Sequence, residues 1–250
     1  MKLPYAILVA GLIFLNSYAH AQDQKKLDFN VRAGFSIGGA SPVGFPESIR
    51  KIRKYNPGLL LSLEAGAEYH FSKPWALASA VRFEQKGMTT EAQVKGYYTT
   101  FNAGDRSGDQ SVTGYYTGNV ETTVRNSYIT VPVHLIYNFN SPLSVRVGGF
   151  ASWILEKKFT GFARDGYIRD KTPVGEKEEI SEAAYDFSDQ IRPFNAGIEL
   201  GAGYKIRSHL TASVNFSWGL TPLMKSDFQS IDFKMYNLFA NVGLVYHFRR

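Results

Sequence analysis

Eight stretches of the chain alternate apolar and polar residues with a period of two. Across about fifty positions of apolar parity none carries Asp, Glu, Lys, Arg or His, which is the pattern of strands with one uninterrupted greasy face. The stretches are Leu27 to Ile37, Leu59 to Phe71, Trp75 to Lys86, Ile129 to Phe139, Leu143 to Trp153, Phe194 to Tyr204, Leu210 to Trp218 and Tyr236 to Phe248. They span 9 to 13 residues, whereas soluble strands average about five or six. That length crosses a bilayer when the strand is tilted by about 45°.

Connections alternate in length too. Ser72-Lys73-Pro74, Asn140-Ser141-Pro142 and Arg207-Ser208-His209 make tight turns, and the intervening connections are long. Short turns on one side and long loops on the other predict an all-β fold: an eight-stranded, antiparallel, up-and-down transmembrane β-barrel. The long loops are expected at about 39–56, 87–126, 156–190 and 222–234. Ahead of the barrel, Lys2, the apolar run Leu3 to Leu15 and Tyr18-Ala19-His20-Ala21 predict a signal peptide over residues 1–21, cleaved before Gln22. That run is too short for a retained helical span of about 20 residues.

Opposite the greasy face lies a charged one, with Asp28, Glu64, Glu68, Glu84 and Glu199 against Arg32, Arg82, Lys86, Arg146 and Lys205. A soluble barrel is apolar inside and polar outside, so this is its inverse. The interior of an eight-stranded barrel is just wide enough to be filled by side chains. These ten residues are therefore expected to form a salt-bridged lumen network rather than line an open channel, with inner-face glycines such as Gly34, Gly148 and Gly201 making room for them. Aromatic residues collect at both ends of the stretches, among them Phe71, Trp75, Tyr137 and Tyr246 near the short turns and Phe35, Tyr128, Trp153 and Trp218 near the long loops. They predict two girdles at headgroup level.

Composition closes other routes. The 250 residues hold no Cys, which excludes disulfide frameworks, Cys-ligated metals and a lipidated cysteine anchor. A mean hydropathy of −0.20 is too polar for a bundle of membrane helices. The net charge of +6 does not imply nucleic acid, because the only dense basic run is Arg50, Lys51, Arg53 and Lys54. No cofactor site, metal site or catalytic constellation is read: His-Glu-x-x-His is absent, the acidic run Glu176, Glu178, Glu179 and Glu182 lacks calcium-loop order, and His70, His134 and His247 fall on the lumen parity.

The segment Tyr128-Ile-Thr-Val-Pro-Val-His-Leu-Ile-Tyr-Asn-Phe139, Val147-Gly-Gly-Phe150, Phe194-Asn-Ala-Gly-Ile-Glu-Leu-Gly-Ala-Gly-Tyr204 and the ending Tyr246-His-Phe248 resemble the Bacteroidota outer-membrane β-barrel family termed porin-family or PorT-like. The resemblance implies outer-membrane location and barrel architecture, reached after export.

Function is then expected in the loops, where barrels of this type bind. The basic run and the repeated Gly96-Tyr97-Tyr98-Thr99 and Gly114-Tyr115-Tyr116-Thr117, symmetric about Arg106, mark the candidate interaction residues Arg50, Lys51, Arg53, Lys54, Tyr97, Tyr98, Tyr115 and Tyr116. The symmetry predicts a Tyr-studded hairpin continuing past the membrane. Candidate partners are outer-membrane lipid, surface polysaccharide, lipopolysaccharide or a protein. The expected role is structural or interactive; the alternatives are small-solute transport and a PorT-like accessory role in protein secretion.

Overall fold

The computed structural model describes residues 26–44, 46–102, 111–170, 172–228, 230–231 and 233–248. The expected signal peptide and the symmetry point at Arg106 lie outside the described residues.

Eleven strands form one antiparallel sheet. They are β1 (Leu27–Pro42), β2 (Ile49–Asn56), β3 (Leu60–His70), β4 (Trp75–Asn102), β5 (Ser111–Asn138), β6 (Leu143–Glu156), β7 (Phe159–Asp170), β8 (Lys177–Asp186), β9 (Phe194–Arg207), β10 (Leu210–Gly219) and β11 (Met235–His247). The expected count of eight is corrected to eleven. All eight alternating stretches are strands, and β2, β7 and β8 arise inside segments expected to be loops. The hairpin expected from the tyrosine repeats is present: β4 and β5 do not stop at the edge of 87–126. At 28 residues each they run through it, paired from Trp75↔Tyr137 to Asn102↔Ser111.

Pairing closes on itself. β4 pairs with β3, β3 with β1, β1 with β11, β11 with β10, β10 with β9, β9 with β6, β6 with β5, and β5 returns to β4. A sheet closed in this way leaves no free edge along the cycle. The other three strands attach outside it, β2 on the far half of β4, β7 on the far half of β5 and β8 on β7, with one bridge from Ala184 back to Asn102. Pro132, which has no N–H to donate, interrupts the β4–β5 ladder between Ser79↔Val133 and Arg82↔Thr130.

Along the cycle the sheet is inside out by the standards of a water-soluble protein. On β1, Phe29, Val31, Phe35 and Ile37 are exposed, while Asp28, Asn30, Arg32 and Ser36 are buried. The same holds for Leu61 and Leu63 against Ser62 and Glu64, and for Leu200 against Glu199. Aromatic contacts sit at both rims of this apolar belt: Trp75, Tyr137 and Phe139 stack edge to face near the short turns, and Trp153 meets Phe194 at the other end. Tyr128, expected in a girdle, is instead buried at 1% exposure, because its parity on β5 is that of Thr130 and His134.

Beyond the belt the sidedness inverts on the same strands. Buried positions of β4 pass from Arg82, Glu84 and Lys86 to Ala92 and Val94, while its outward positions pass from Leu77 and Val81 to Gln93 and Lys95. Here the interior is an ordinary apolar core of Val94, Phe101, Tyr116, Phe159, Tyr185, Phe187 and Met235. Within it lie Leu223, Met224 and Ile231 of the expected 222–234 loop, which is therefore packed rather than solvated.

Candidate functional site

The lumen side chains are delivered by parity: one strand residue in two points inward, so β1, β3, β4, β6 and β9 each contribute charges at their alternate positions. Arg82 is the hub. Its Nε donates to Glu64 Oε2 at 2.6 Å across the β3–β4 ladder, where the two residues are direct register partners. Its two terminal nitrogens bind Glu199 in a fork, at 2.7 and 3.1 Å. Between β4 and β9 stand β5 and β6 on one side and four strands on the other, so this fork crosses the lumen. Arg82 Nη1 also lies 3.7 Å from Glu84, which receives Lys86 Nζ at 2.9 Å and the Thr130 hydroxyl at 2.7 Å. His134 Nε2 meets Glu199 at 2.9 Å. Such forked, charge-assisted bonds are the arrangement that makes burial of ions tolerable.

Lys86 closes this layer on the side of the long connections. Its ammonium lies over the rings of Phe150, Tyr128 and Phe239, at 4.9, 5.6 and 5.8 Å from their centroids, a three-sided cation–π enclosure. No sequence signal marked that enclosure, since its rings come from three different strands. Arg32 donates to the Asn241 carbonyl at 3.0 Å. Gly201 stands opposite Arg146 on β6, and a Cβ there would meet Arg146 Cγ at 3.0 Å and collide with the Asn215 side-chain amide. Gly148 instead faces the His134 backbone and ring, and Gly34 the backbone of β11, so the expectation that inner glycines accommodate cations holds at Gly201.

Nine of the ten expected lumen residues are buried: Asp28, Arg32, Glu64, Glu68, Arg82, Glu84, Lys86, Arg146 and Glu199. Lys205 is not; it is exposed at the mouth near the short turns, where it lines the lumen's opening. That mouth holds a 230 Å³ cavity lined by Glu68, His70, Arg146 and His247. Asp28, Glu68 and His70 offer ligand-type atoms within 4.8 Å of one another, and Asp28 is also bound by His247 Nδ1 at 2.9 Å. The acidic residues of β8 form no such group among the described residues; Glu182 is taken by Arg164, which also reaches Glu121.

Gly34-Phe35-Ser36-Ile37-Gly38 has the spacing of a nucleophile elbow. It lies inside strand β1 rather than at a strand-to-helix turn, and Ser36 is fully buried, accepting from Asn241 Nδ2 at 3.1 Å. The geometry is that of a packed strand.

The basic run falls on β2, not in a loop. Register partners Ile49↔Val94, Ile52↔Ala92 and Tyr55↔Thr90 advance by three residues on β2 for every two on β4, with irregularities at Ile49/Lys51 and Ile52/Lys54. Each bulge resets the parity. Ile49, Ile52 and Tyr55 therefore share one face, and Arg50, Lys51, Arg53 and Lys54 are all exposed, Lys54 pairing with Glu91 at 3.0 Å. The two Gly-Tyr-Tyr-Thr copies lie across from each other, Tyr97↔Tyr116 and Tyr98↔Tyr115. Tyr98 and Tyr115 are half-buried and pack edge to face at 5.3 Å. Tyr116 is corrected from a surface contact to a core residue: it is fully buried, it donates to the Arg164 carbonyl at 2.8 Å, and burial pushes its phenol up to about 12.

A closed antiparallel ring with an apolar exterior and a charged interior defines a membrane-embedded β-barrel protein. The chain belongs to the outer membrane protein β-barrel domain family, whose model matches residues 20–225. It is similar in fold to the attachment invasion locus protein Ail of Yersinia pestis, solved with the heparin analogue sucrose octasulfate, at 11% identity over 89% of this chain and 99% of that one, with a TM-score of 0.39. OprG from Pseudomonas aeruginosa matches at 12% identity over 89% and 96%, TM-score 0.36. Neisserial surface protein A matches at 11% over 87% and 96%, TM-score 0.33. No curated protein matches significantly.

Proposed function

We propose that this outer-membrane protein works by binding rather than by conducting. Its eight-membered ring spans the bilayer, its lumen is closed by the Arg82-centred ion pairs, and the sheet beyond the belt presents a basic surface to anionic sugar, as in surface polysaccharide or the lipopolysaccharide headgroup region. The observation that carries this reading is the inversion of sidedness along β4 and β5. Outward residues change from Leu77 and Val81 to Gln93 and Lys95, so the far half of these strands is built for water. On that half the bulged β2 turns Arg50, Lys51 and Arg53 outward together.

Two measurements test the proposal. In planar bilayers the closed lumen is expected to give no stable open steps, and porin-sized steps overturn it. Folded protein in lipid nanodiscs is expected to retain dextran sulfate but not neutral dextran, with retention weakening as salt screens the charges. Combining Arg50→Glu, Lys51→Glu and Arg53→Glu is expected to abolish retention; if that variant binds as well as the parent, the basic strand is not the binding surface.

A further inference from the structure

Between the cation–π enclosure of Lys86 and the far end of the sheet lies a cavity of 340 Å³. It is not sealed: Ile52 and Tyr55, which line it from β2, are 44% and 49% exposed, so the space opens to water on that side. Its volume falls in the range of about 300 to 1,000 Å³ usual for small-molecule pockets. Its walls carry no Asp, Glu, Lys, Arg or His. Seven aromatic residues stand among mostly aliphatic ones, including Phe101, Tyr185 and Phe187. The polar groups in the wall are uncharged, and two of them, Thr122 Oγ1 and the Tyr185 hydroxyl, bond to each other at 2.6 Å, so the wall offers no charge to pair with an ionic guest. An apolar cavity of about 150 Å³ already takes benzene; this one has room for roughly twice that.

The geometry points to a binding site for a neutral, ring-bearing apolar small molecule of about two fused rings, held on the water side of the charged plug. Sequence parity brings the walls together. Beyond Lys86 the inward positions of β4 are Met88, Thr90, Ala92 and Val94, and the bulges of β2 add its apolar face. Two flexible thioethers, Met88 and Met235, border the space, and methionine sulfur packs well against aromatic rings. This site is independent of the basic surface and stands or falls separately from it.

The chain contains four methionines, and Met224 is buried in the same core without lining the cavity, which supplies an internal reference. Methyl-labelled methionine spectra of the full folded protein in nanodiscs, titrated with naphthalene, read the site directly. The expected result is a saturable shift of the Met88 and Met235 methyl signals with Met224 still. Filling the space by Ala92→Phe, or by Thr90→Phe at a second wall, is expected to reduce the shift at least tenfold at equal naphthalene, in variants whose heat-modifiable gel migration shows a folded barrel. No saturable shift, equal shifts at all three methyls as from partition into lipid, or undiminished shifts in both filled variants each overturn the inference.

Discussion

Replacing Arg82 by Met keeps most of the volume and removes the one group shared by Glu64, Glu199 and Glu84, which sit 2.6, 2.7 and 3.7 Å from its nitrogens. Glu84 retains Lys86 and Thr130, and Glu199 retains His134, but Glu64 loses its one ion pair among the described residues, keeping only the more distant Arg32 across the β1–β3 ladder. All these groups are buried, so solvent does not compensate. Stranding a buried charge costs about 3 to 5 kcal/mol. With a urea slope of about 2 to 3 kcal/mol per molar, the midpoint should fall by about 1 to 2.5 M. The assay is equilibrium unfolding in lipid vesicles, followed by tryptophan fluorescence. Adding Glu64→Gln and Glu199→Gln to Arg82→Met should recover most of the loss, because neutral amides tolerate burial better than unpaired carboxylates. The exposed pair Lys157 and Asp189 is the control, and Asp189→Asn should leave the midpoint unmoved. A midpoint for Arg82→Met within experimental error of the parent would refute the reasoning, since it would mean that the carboxylates reach water without Arg82.

Three further outcomes are expected. Leu200 is 62% exposed on the belt, and Leu200→Arg should cost about 2 to 4 kcal/mol if that face meets lipid, against about 0.5 or less on a wet surface; urea midpoints in vesicles distinguish the two. Gly201→Ala should cost about 1 to 3 kcal/mol through overpacking against Arg146 and Asn215, read the same way. Tyr116 is neutral in folded and unfolded chains below pH 10, and as pH rises from there toward about 12 the unfolded phenol ionises first, so its contribution to stability is lost across that window. Spectrophotometric tyrosine titration should show one fewer late-ionising group in Tyr116→Phe, and an unchanged curve would contradict the burial.

Much of the membrane-spanning half was legible because its rule is local. Where lipid lies outside, alternation is strict and uninterrupted, so Phe29, Val31 and Phe35 declare the belt and Asp28, Arg32 and Glu199 the lumen without reference to any partner. The water-facing half was hidden for two physical reasons. Bulges at Ile49/Lys51 and Ile52/Lys54 break the period that strand recognition depends on, so β2 read as a basic loop. The apolar residues of β4 beyond Lys86 occupy the parity that had been charged, so the alternation gave no sign of the continuing strand, and only the mirrored Gly-Tyr-Tyr-Thr copies announced the hairpin.

By itself the sequence determined which solvent each face of the alternating strands meets, since the sign of an alternation is a property of consecutive residues. It also determined that the inward charges are nearly balanced and that the tyrosine repeats mirror one another. Only the tertiary structure decided that Arg82 reaches Glu199 across two intervening strands, that Tyr128, Phe150 and Phe239 enclose Lys86, that Tyr116 belongs to a core, and that an apolar cavity lies above the charged plug. Those facts depend on ring closure and register, which bring together residues far apart in the chain, and no local pattern encodes a distance between strands that are not neighbours in sequence.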